Sequence, residues 1–473
     1  MASSAFWYNL CAAAYFGALF VMIANLLAKK AKIRRGATVL TALGFLAHAT
    51  GMVFRWREAG LVEIQSIERA QDVKLEGIAR FVAYTQHPPW SNLYEIMVFM
   101  SWGVVLVFLV TEVKWRIKLT GIFALLIALV SLGLATLTGD ATIKPLVPAL
   151  QSWWIMIHVI SSAIGYAAGT IGAIFSGFYL LKARDKISIA AVASGTLVLS
   201  TFLFLVLGRG VELFTTGVYR VKLLGYFDGQ LEPVGKVVGG NFRIFYTASP
   251  GVGALLIATI VASLAVAAYL WKTRAQSGAV KTQRIAYMLA FGLSTLTIGL
   301  IVVNGIIQTD VQLPEEIAKT LTHGAPPPWR LHLTSNQWDL ALFLIIWGGQ
   351  LFVGLTILFP DGMRSILPEA SQADRGAYYT ILLAFALVAV VLVTGALWAH
   401  YAWGRYWGWD PKETGALVIW LVYAIYLHAR MTYGWGGVPA AVIGILGFFV
   451  IIAGFLGVNL GWFADGLHSY GSA

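Results

Sequence analysis

Apolar runs of about twenty residues recur from one end of this chain to the other, and that repetition leaves little choice of fold. A helix rises about 1.5 Å per residue, so each run is long enough to cross a hydrocarbon core of ~30 Å. Hydropathy places about twelve spans, at 5–28, 37–57, 92–112, 118–137, 153–181, 188–207, 250–271, 285–307, 336–359, 377–397, 414–432 and 438–460. They lack the alternation and the length of about ten residues that barrel strands require. Composition agrees: of 473 residues, 59% are hydrophobic and only 12% charged, far less charge than a soluble chain carries. The expected fold is all-α, a polytopic integral membrane protein of about twelve transmembrane helices. The first run has no basic stretch before it and no small-residue cleavage site after it, so it reads as a retained helix rather than a signal peptide.

The formal net charge of +11 would suggest nucleic acid in a soluble protein. Here the basic residues crowd into short loops after the odd-numbered spans, such as "KKAKIRR" (29–35), "EVKWRIK" (112–118), "LKARDK" (181–186) and "WKTRAQSGAVKTQR" (271–284). By the positive-inside rule these loops are cytoplasmic, and the charge reports orientation rather than a nucleic-acid partner. Both termini and the larger loops 58–91, 138–152, 208–249 and 308–335 then lie on the outer side. The segment 63–86 mixes apolar and charged residues at near-helical spacing, which predicts a helix lying on the membrane surface. The one cysteine, Cys11, excludes an intrachain disulfide, a CxxC redox pair and a CxxCH haem attachment site, and reads as a small packing residue.

Two stretches echo one another: "SNLYEIMVF" (91–99) and "SNQWDLALF" (335–343), each after prolines and a Trp. Each reads as a capping box, Asn92 or Asn336 capping with Glu95 or Asp339 three residues on, or as the trace of a partial duplication.

Eight histidines remain to be placed, and one inside a span is a functional candidate by default, because a polar group in lipid is costly unless paired or bound. His428 lies about 21 Å along its span from Thr414, sharing a helical face with Thr414, Leu417, Leu421 and Ala424. It is a ligand candidate, or with Arg430 it marks a helix end. His48, mid-span, is either a ligand or an interhelical hydrogen-bonding group. His158, just after "PLVPALQSWW" (145–154), and His468, in "GLHSYG" (466–471), belong to the outer surface. His87, His323 and His332 sit beside prolines in outer loops and read as turn polarity. No cysteines or carboxylates stand at zinc-site spacing. Paired imidazoles with flat aromatic walls suit haem iron instead. Interfacial enrichment of Trp explains isolated indoles, but not Trp398, Trp403, Trp407 and Trp409 around one Asp-Pro turn.

That turn opens "WGRYWGWDPKETGALVIWLVYAIYLHAR" (403–430). It resembles the tryptophan-rich WWD signature of haem-handling proteins of cytochrome c biogenesis, in the form found in the CcsA/ResC family of system II. "HATGMVFRWREAG" (48–60), "PWSNLYE" (89–95), "PLVPALQSWWIMIHV" (145–159) and "GVNLGWFADGLHSYG" (457–471) agree in order. The resemblance implies a haem-handling core (1–187), an inserted four-span segment (188–376) and a C-terminal part (377–473) with an extracytoplasmic WWD loop. It implies haem b as the bound group, with His158 and His468 as outer axial ligands and His428 as a transmembrane ligand. His48 or a CcsB/ResB-type partner would supply the second transmembrane ligand. Trp403, Trp407, Trp409 and Asp410 match the WWD core. Arg405 and Lys412 are candidate propionate contacts, while Lys412-Glu413 also suits an ion pair and cap at a helix start. The implied activity is attachment of haem to CxxCH of apocytochrome c, in a bacterial inner or thylakoid-type membrane. Alternatives are haem delivery of the CcmF or CcmC kind, or a haem-binding scaffold without synthase activity. Two local departures stand out: Gly415 where the family usually has Trp, and His400-Tyr401 where Asn-Glu is common, making His400 a rival outer ligand.

Overall fold

The computed structural model describes residues 3–28, 30–115, 117–138, 141–143, 145–146, 150–183, 188–207, 218–221, 223–227, 230–233, 244–247, 250–307, 330–331 and 337–457. Its helices in chain order are α1 (Ser4–Ala28), α2 (Ala31–Gln71), α3 (Gly77–Thr85), α4 (Leu93–Trp115), α5 (Lys118–Thr138), α6 (Trp153–Lys182) and α7 (Ile189–Leu207). Then come α8 (Pro250–Thr273), α9 (Val280–Ile307), α10 (Gln337–Leu358), α11 (Pro360–Ile366), α12 (Ala370–Trp403), α13 (Pro411–Thr432) and α14 (Val438–Ile452), which runs on into a π-helical turn, Ala453–Gly457. Every apolar run of the sequence falls in a helix. Among the described residues, eight helices are long and apolar enough to cross a membrane. The protein is a helical, multi-pass membrane protein.

Strands are confined to two small antiparallel sheets in stretches read as loops. β1 (Val218–Val221) pairs with β4 (Ile244–Thr247), and β2 (Leu223–Phe227) lies between β3 (Gln230–Pro233) and β5 (Arg330–Leu331). No span-length periodicity announced such short strands.

The chain forms two compact units: Met1–Lys186 with Ser365–Ala473, and Ile187–Arg364. In the first, α6 packs along α12, α14 and α4. Its middle is a run of small residues. A Cβ placed on Gly172 would come 2.7 Å from Ile381 of α12, and one on Gly165 3.1 Å from Leu387. Without a hydrophobic drive between helices in lipid, such close approach is what holds them. At the other end of α12 and α13, Arg430 grips both carboxylate oxygens of Asp374, which also accepts from the Gly437 amide at 3.3 Å. Arg430 thus marks a clamped helix end.

The segment 63–86 departs from the expectation of a surface-lying helix. The first half of that segment simply continues α2, whose 41 residues span roughly 60 Å. After a left-handed turn at Asp72, α3 folds back along it: Tyr84 closes on Gly60, and Arg80 pairs with Glu68 at 3.4 Å. A buried ionic frame ties α2 to the start of α4. Arg55 donates to Glu95 at 2.8 Å and to the Ala141 carbonyl at 2.7 Å, with its guanidinium 5.4 Å from the Tyr94 ring. Asn92 caps α4 through the Glu95 amide (2.9 Å), as the capping reading expected, while Glu95 reaches back to the Ser91 amide and hydroxyl. The matching Asn336 lies outside the described residues, as do His323 and His332.

The second unit is a ring of four helices in which α7 meets α8 and α10, and α9 meets α8 and α10. Ala193, Leu197, Ala267, Leu270, Tyr287 and Val353 form its apolar core.

Because Arg55 and Glu95 are both buried, removing one leaves a charge uncompensated. Arg55→Met lowers unfolding free energy by about 3–5 kcal/mol, measured by chemical denaturation in detergent, and Arg55→Met with Glu95→Leu recovers most of that loss.

Candidate functional site

A cleft of about 1200 Å³, counting its open mouth, enters the first unit between α6, α12, the start of α13 and the residues leading into α4. Its walls include Trp90, Phe99, His158, Trp398, Trp407 and Lys412. Three sequence-predicted residues, His158, Trp407 and Lys412, therefore meet in one space.

His158 stands in the second turn of α6, which begins at a Ser152 cap. Its Nδ1 lies 2.9 Å from the Val391 carbonyl. A carbonyl can only accept, so Nδ1 carries the proton. The ring sits in a notch made by Gly395, where a Cβ would lie 2.9 Å from it, and against Trp398 at 6.1 Å. On the facing wall, Trp90 overlaps Phe99 (5.0 Å), Phe99 overlaps Trp102 (5.6 Å) and Trp102 overlaps Phe45 of α2 (5.1 Å). The Trp90 Nε1 is buried and has no hydrogen-bond partner among the described residues.

The Trp-rich loop begins where α12 ends at Gly404, in the left-handed conformation glycine tolerates best (φ 72°). Trp403 folds inwards on Trp398 (4.9 Å) and joins Leu146, Leu150 and Ile155 behind the cleft wall. Trp407 meets Trp409 edge-on at 5.8 Å, but Trp409 is 71% exposed and turns outwards. Its φ of 57° is costly for so large a residue. The Glu413 carboxylate holds it there, accepting from the Gly408 amide at 2.8 Å and the Asp410 amide at 3.2 Å. Asp410 caps α13 through the Lys412 amide (2.9 Å). So Glu413 serves as cap, as the sequence allowed, while Lys412 lines the cleft. Arg405 is exposed and folds over Gly408. His400 is exposed and stacks flat on Tyr406 (4.3 Å, 3°); it does not line the cleft. His468 lies outside the described residues.

The two span histidines are not brought together. His48 is fully buried between Tyr8 and Tyr15, with Nδ1 3.3 Å from the Tyr15 hydroxyl and a partnerless Nε2. His428, expected to be buried, is exposed on α13 beside Leu421 and Ile425, and touches only its own helix end, Thr432 at 3.4 Å and Tyr433. The face of α13 that does pack carries Ile419, Tyr423 and Tyr426 instead.

Sequence reasoning missed two features. His87, read as turn polarity, is fully buried with Nδ1 3.2 Å from Glu63, whose carboxylate also accepts from the Leu146 amide at 2.8 Å. That pair ties the approaches to Trp90 and Leu150, both on the cleft wall, to the extension of α2. Gly415 has a packing reason: a Cβ there would lie 3.2 Å from the Gly454 Cα, and Gly454 lines the cleft. Gly415→Val is expected to cost about 1–3 kcal/mol by overpacking, checked by thermal unfolding against a Gly→Val control at the open Gly436 position.

The chain matches the cytochrome c assembly protein family over residues 90–220 and 340–464. It is 32% identical to the cytochrome c biogenesis protein CcsA of Trichormus variabilis, covering 81% of this chain and 80% of that one. It is 30% identical to the CcsA proteins of a Nostoc species and of Rippkaea orientalis, again covering 81% and 80%. Among solved structures, the cytochrome c haem lyase CcmF aligns over 98% of this chain and 72% of its own, at 15% identity and a TM-score of 0.32, too low to relate the two folds.

Proposed function

We propose, from the premise that this chain belongs to the cytochrome c assembly protein family, that it binds haem b in cytochrome c biogenesis and presents it at the outer cleft for attachment to the CxxCH motif of apocytochrome c. The observation that carries this reading is the hydrogen bond from His158 Nδ1 to the Val391 carbonyl. It sets the tautomer and ring orientation that a haem-ligating imidazole needs. The surroundings fit a flat, largely apolar group with acidic edges. Trp90, Phe99 and Trp398 supply aromatic walls, the partnerless Trp90 Nε1 supplies a donor, and Lys412 supplies a cation for a propionate.

His158 would hold the haem iron in this cleft, and His468 is proposed as a second ligand. Bound haem would supply the vinyl groups to which the two CxxCH thiols add, each S–H adding across a vinyl, sulfur to one carbon and hydrogen to the other. The contribution of this chain's residues would be to hold the group and orient it towards the thiols. Trp403 and the Asp410–Glu413 cap act from behind, fixing the wall that carries Trp407. Trp409 and Arg405 face outwards and suit contact with the incoming apocytochrome.

His428 is proposed as the transmembrane ligand; its exposure on α13, away from the buried His48, supports an opposing ligand from another chain of the CcsB/ResB kind over His48. The haem-lyase activity then belongs to the complex. Residues 1–187 and 377–473 form the haem-handling core, 188–376 an inserted segment, in a bacterial inner or thylakoid-type membrane with the Trp-rich loop extracytoplasmic.

Absorption spectra of the purified protein, with pyridine haemochrome quantification, test this. Haem b is expected in wild type, one pool falling in His158→Ala/His468→Ala and a separate one in His428→Ala. Absence of haem, or haem indifferent to these histidines, rejects the proposal. Gly395→Ala puts a methyl where the His158 ring sits, so the outer pool should drop at least several-fold while the His428 pool stays near wild type, with the unfolding midpoint lowered modestly by overpacking.

A further inference from the structure

The second unit carries polar groups that nothing in haem chemistry uses. Each of its four helices turns one stripe inwards at steps of three and four residues, the spacing of a bundle core. On α7 the stripe is Ala190, Ala193, Leu197 and Thr201; on α8 it is Leu256, Ile260, Ser263, Ala267 and Leu270. On α9 it is Tyr287, Ala290, Ser294 and Ile298; on α10 it is Gln350, Val353 and Ile357. Buried Ser194, Ser200, Thr259, Thr297 and Thr356 also interrupt the apolar pattern, but one set places a polar side chain from each of the four helices near one height: Thr201, Ser263, Ser294 and Gln350, none more than 2% exposed.

Cross-helix bonds fix their heights. Thr259 meets Thr297 at 2.6 Å, so Ser263 and Ser294 fall opposite one another one turn along the antiparallel pair α8 and α9. Trp347 donates to Thr295 at 3.0 Å and Gly354 faces Tyr287, which places Gln350 within a turn of Ser294. Ser194 donates to the Ala267 carbonyl at 2.8 Å, which brings Thr201 to the height of Ile260. All four groups thus lie near mid-height of α8, between the apolar layer of Ala267, Tyr287, Ala290 and Val353 on one side and Leu256 with Ile298 on the other.

Their hydrogen-bonding atoms are unspent. The hydroxyls of Thr201, Ser263 and Ser294, and both the Nε2 and Oε1 of Gln350, have no hydrogen-bond partner among the described residues. Neighbouring Thr259, Thr297 and Thr356 bond back to their own helices, at 2.8, 2.9 and 2.8 Å; the three orphaned hydroxyls do not. So many unmade bonds in one dry layer would be severely destabilising in a lipid-embedded bundle.

We propose that this layer is a binding site for ordered water at mid-height of the four-helix unit. The lining groups are all neutral and each both donates and accepts, which suits an uncharged guest and offers an ion no countercharge. Apolar layers on both sides limit the guest to a small molecule. A buried water makes about three hydrogen bonds to otherwise unsatisfied groups, and the layer supplies at least that many.

Hydroxyl-radical footprinting with X-ray pulses on the full-length protein in detergent tests the site, because radicals formed from bound water oxidise the side chain beside it. Tyr287, fully buried, should be oxidised in wild type, and several-fold less in Ser263→Ala/Ser294→Ala/Gln350→Leu. An unlabelled Tyr287 beside a labelled, exposed Tyr433 overturns the proposal, and so does labelling that the apolar triple variant leaves unchanged. Thermal unfolding of the mild variant Ser294→Ala gives an independent sign. A lowered midpoint means a bridging water lost a partner, and a raised midpoint means the hydroxyl was dry and sinks the site.

Discussion

The close approach of α6 to α12 is the interaction on which the first unit rests. Lipid tails are as apolar as leucine, so helices in a bilayer gain little from burying side chains against each other, and contact distance becomes decisive. The middle of α6, "SSAIGYAAGTIGAIFS" (161–176), is rich in small residues, and Leu387, Tyr423 and Ile381 fill the space that Gly165, Gly169 and Gly172 leave open. The same economy continues towards the Trp-rich loop, where Gly395 yields its side-chain volume to the His158 imidazole. A histidine placed by helix–helix contact is held more firmly than one carried on a loop.

The other walls of the cleft come from loops, and loops need a different restraint. Here it is buried charge. Arg55 with Glu95 ties α2 to the start of α4 and to Ala141; Glu63 with His87 ties α2 to the approach of Trp90 and to Leu146; Asp410 and Glu413 close the Trp-rich turn on itself. Each pair removes freedom from a segment with little secondary structure of its own. α2 acts as the common post for the first two, with Arg55 near the end of its apolar part and Glu63 in the extension beyond it.

What was legible in the sequence follows the strength of each physical signal. Twenty apolar residues in a row can do little except span, so the helices appear where hydropathy places them. A cap is local, so Asn92 and Asp410 were readable from three or four residues. Which face of a helix packs is a tertiary fact. Nothing in "YAIYLHAR" tells that Tyr423 and Tyr426 turn inwards and His428 outwards, because aromatic and imidazole side chains suit either side. His87 looked like turn polarity because its partner, Glu63, is far away in sequence. Gly415 looked like a defect in a motif until Gly454 was found against it. The mid-height polar layer was hidden for the opposite reason: single Ser, Thr and Gln residues in apolar runs are unremarkable until four helices bring them to one height.

The three described candidate histidines show why imidazole alone does not make a haem site. Coordination needs a lone pair on one nitrogen, a restraint on the other and room for a flat ring system in front. His158 has the restraint at Val391 and the open cleft before it. His48 is fully buried between Tyr8 and Tyr15 where α1 packs on α2, so ligation there would require those helices to part. His428 is exposed on α13, with Thr432 beside its Nδ1. Of these three described histidines, His158 alone combines a carbonyl at Nδ1 with a place on the cleft wall. The difference between His158 and His428 is therefore one of completeness: the cleft at His158 is walled by several elements of this chain, whereas the described contacts of the His428 ring are with its own helix end.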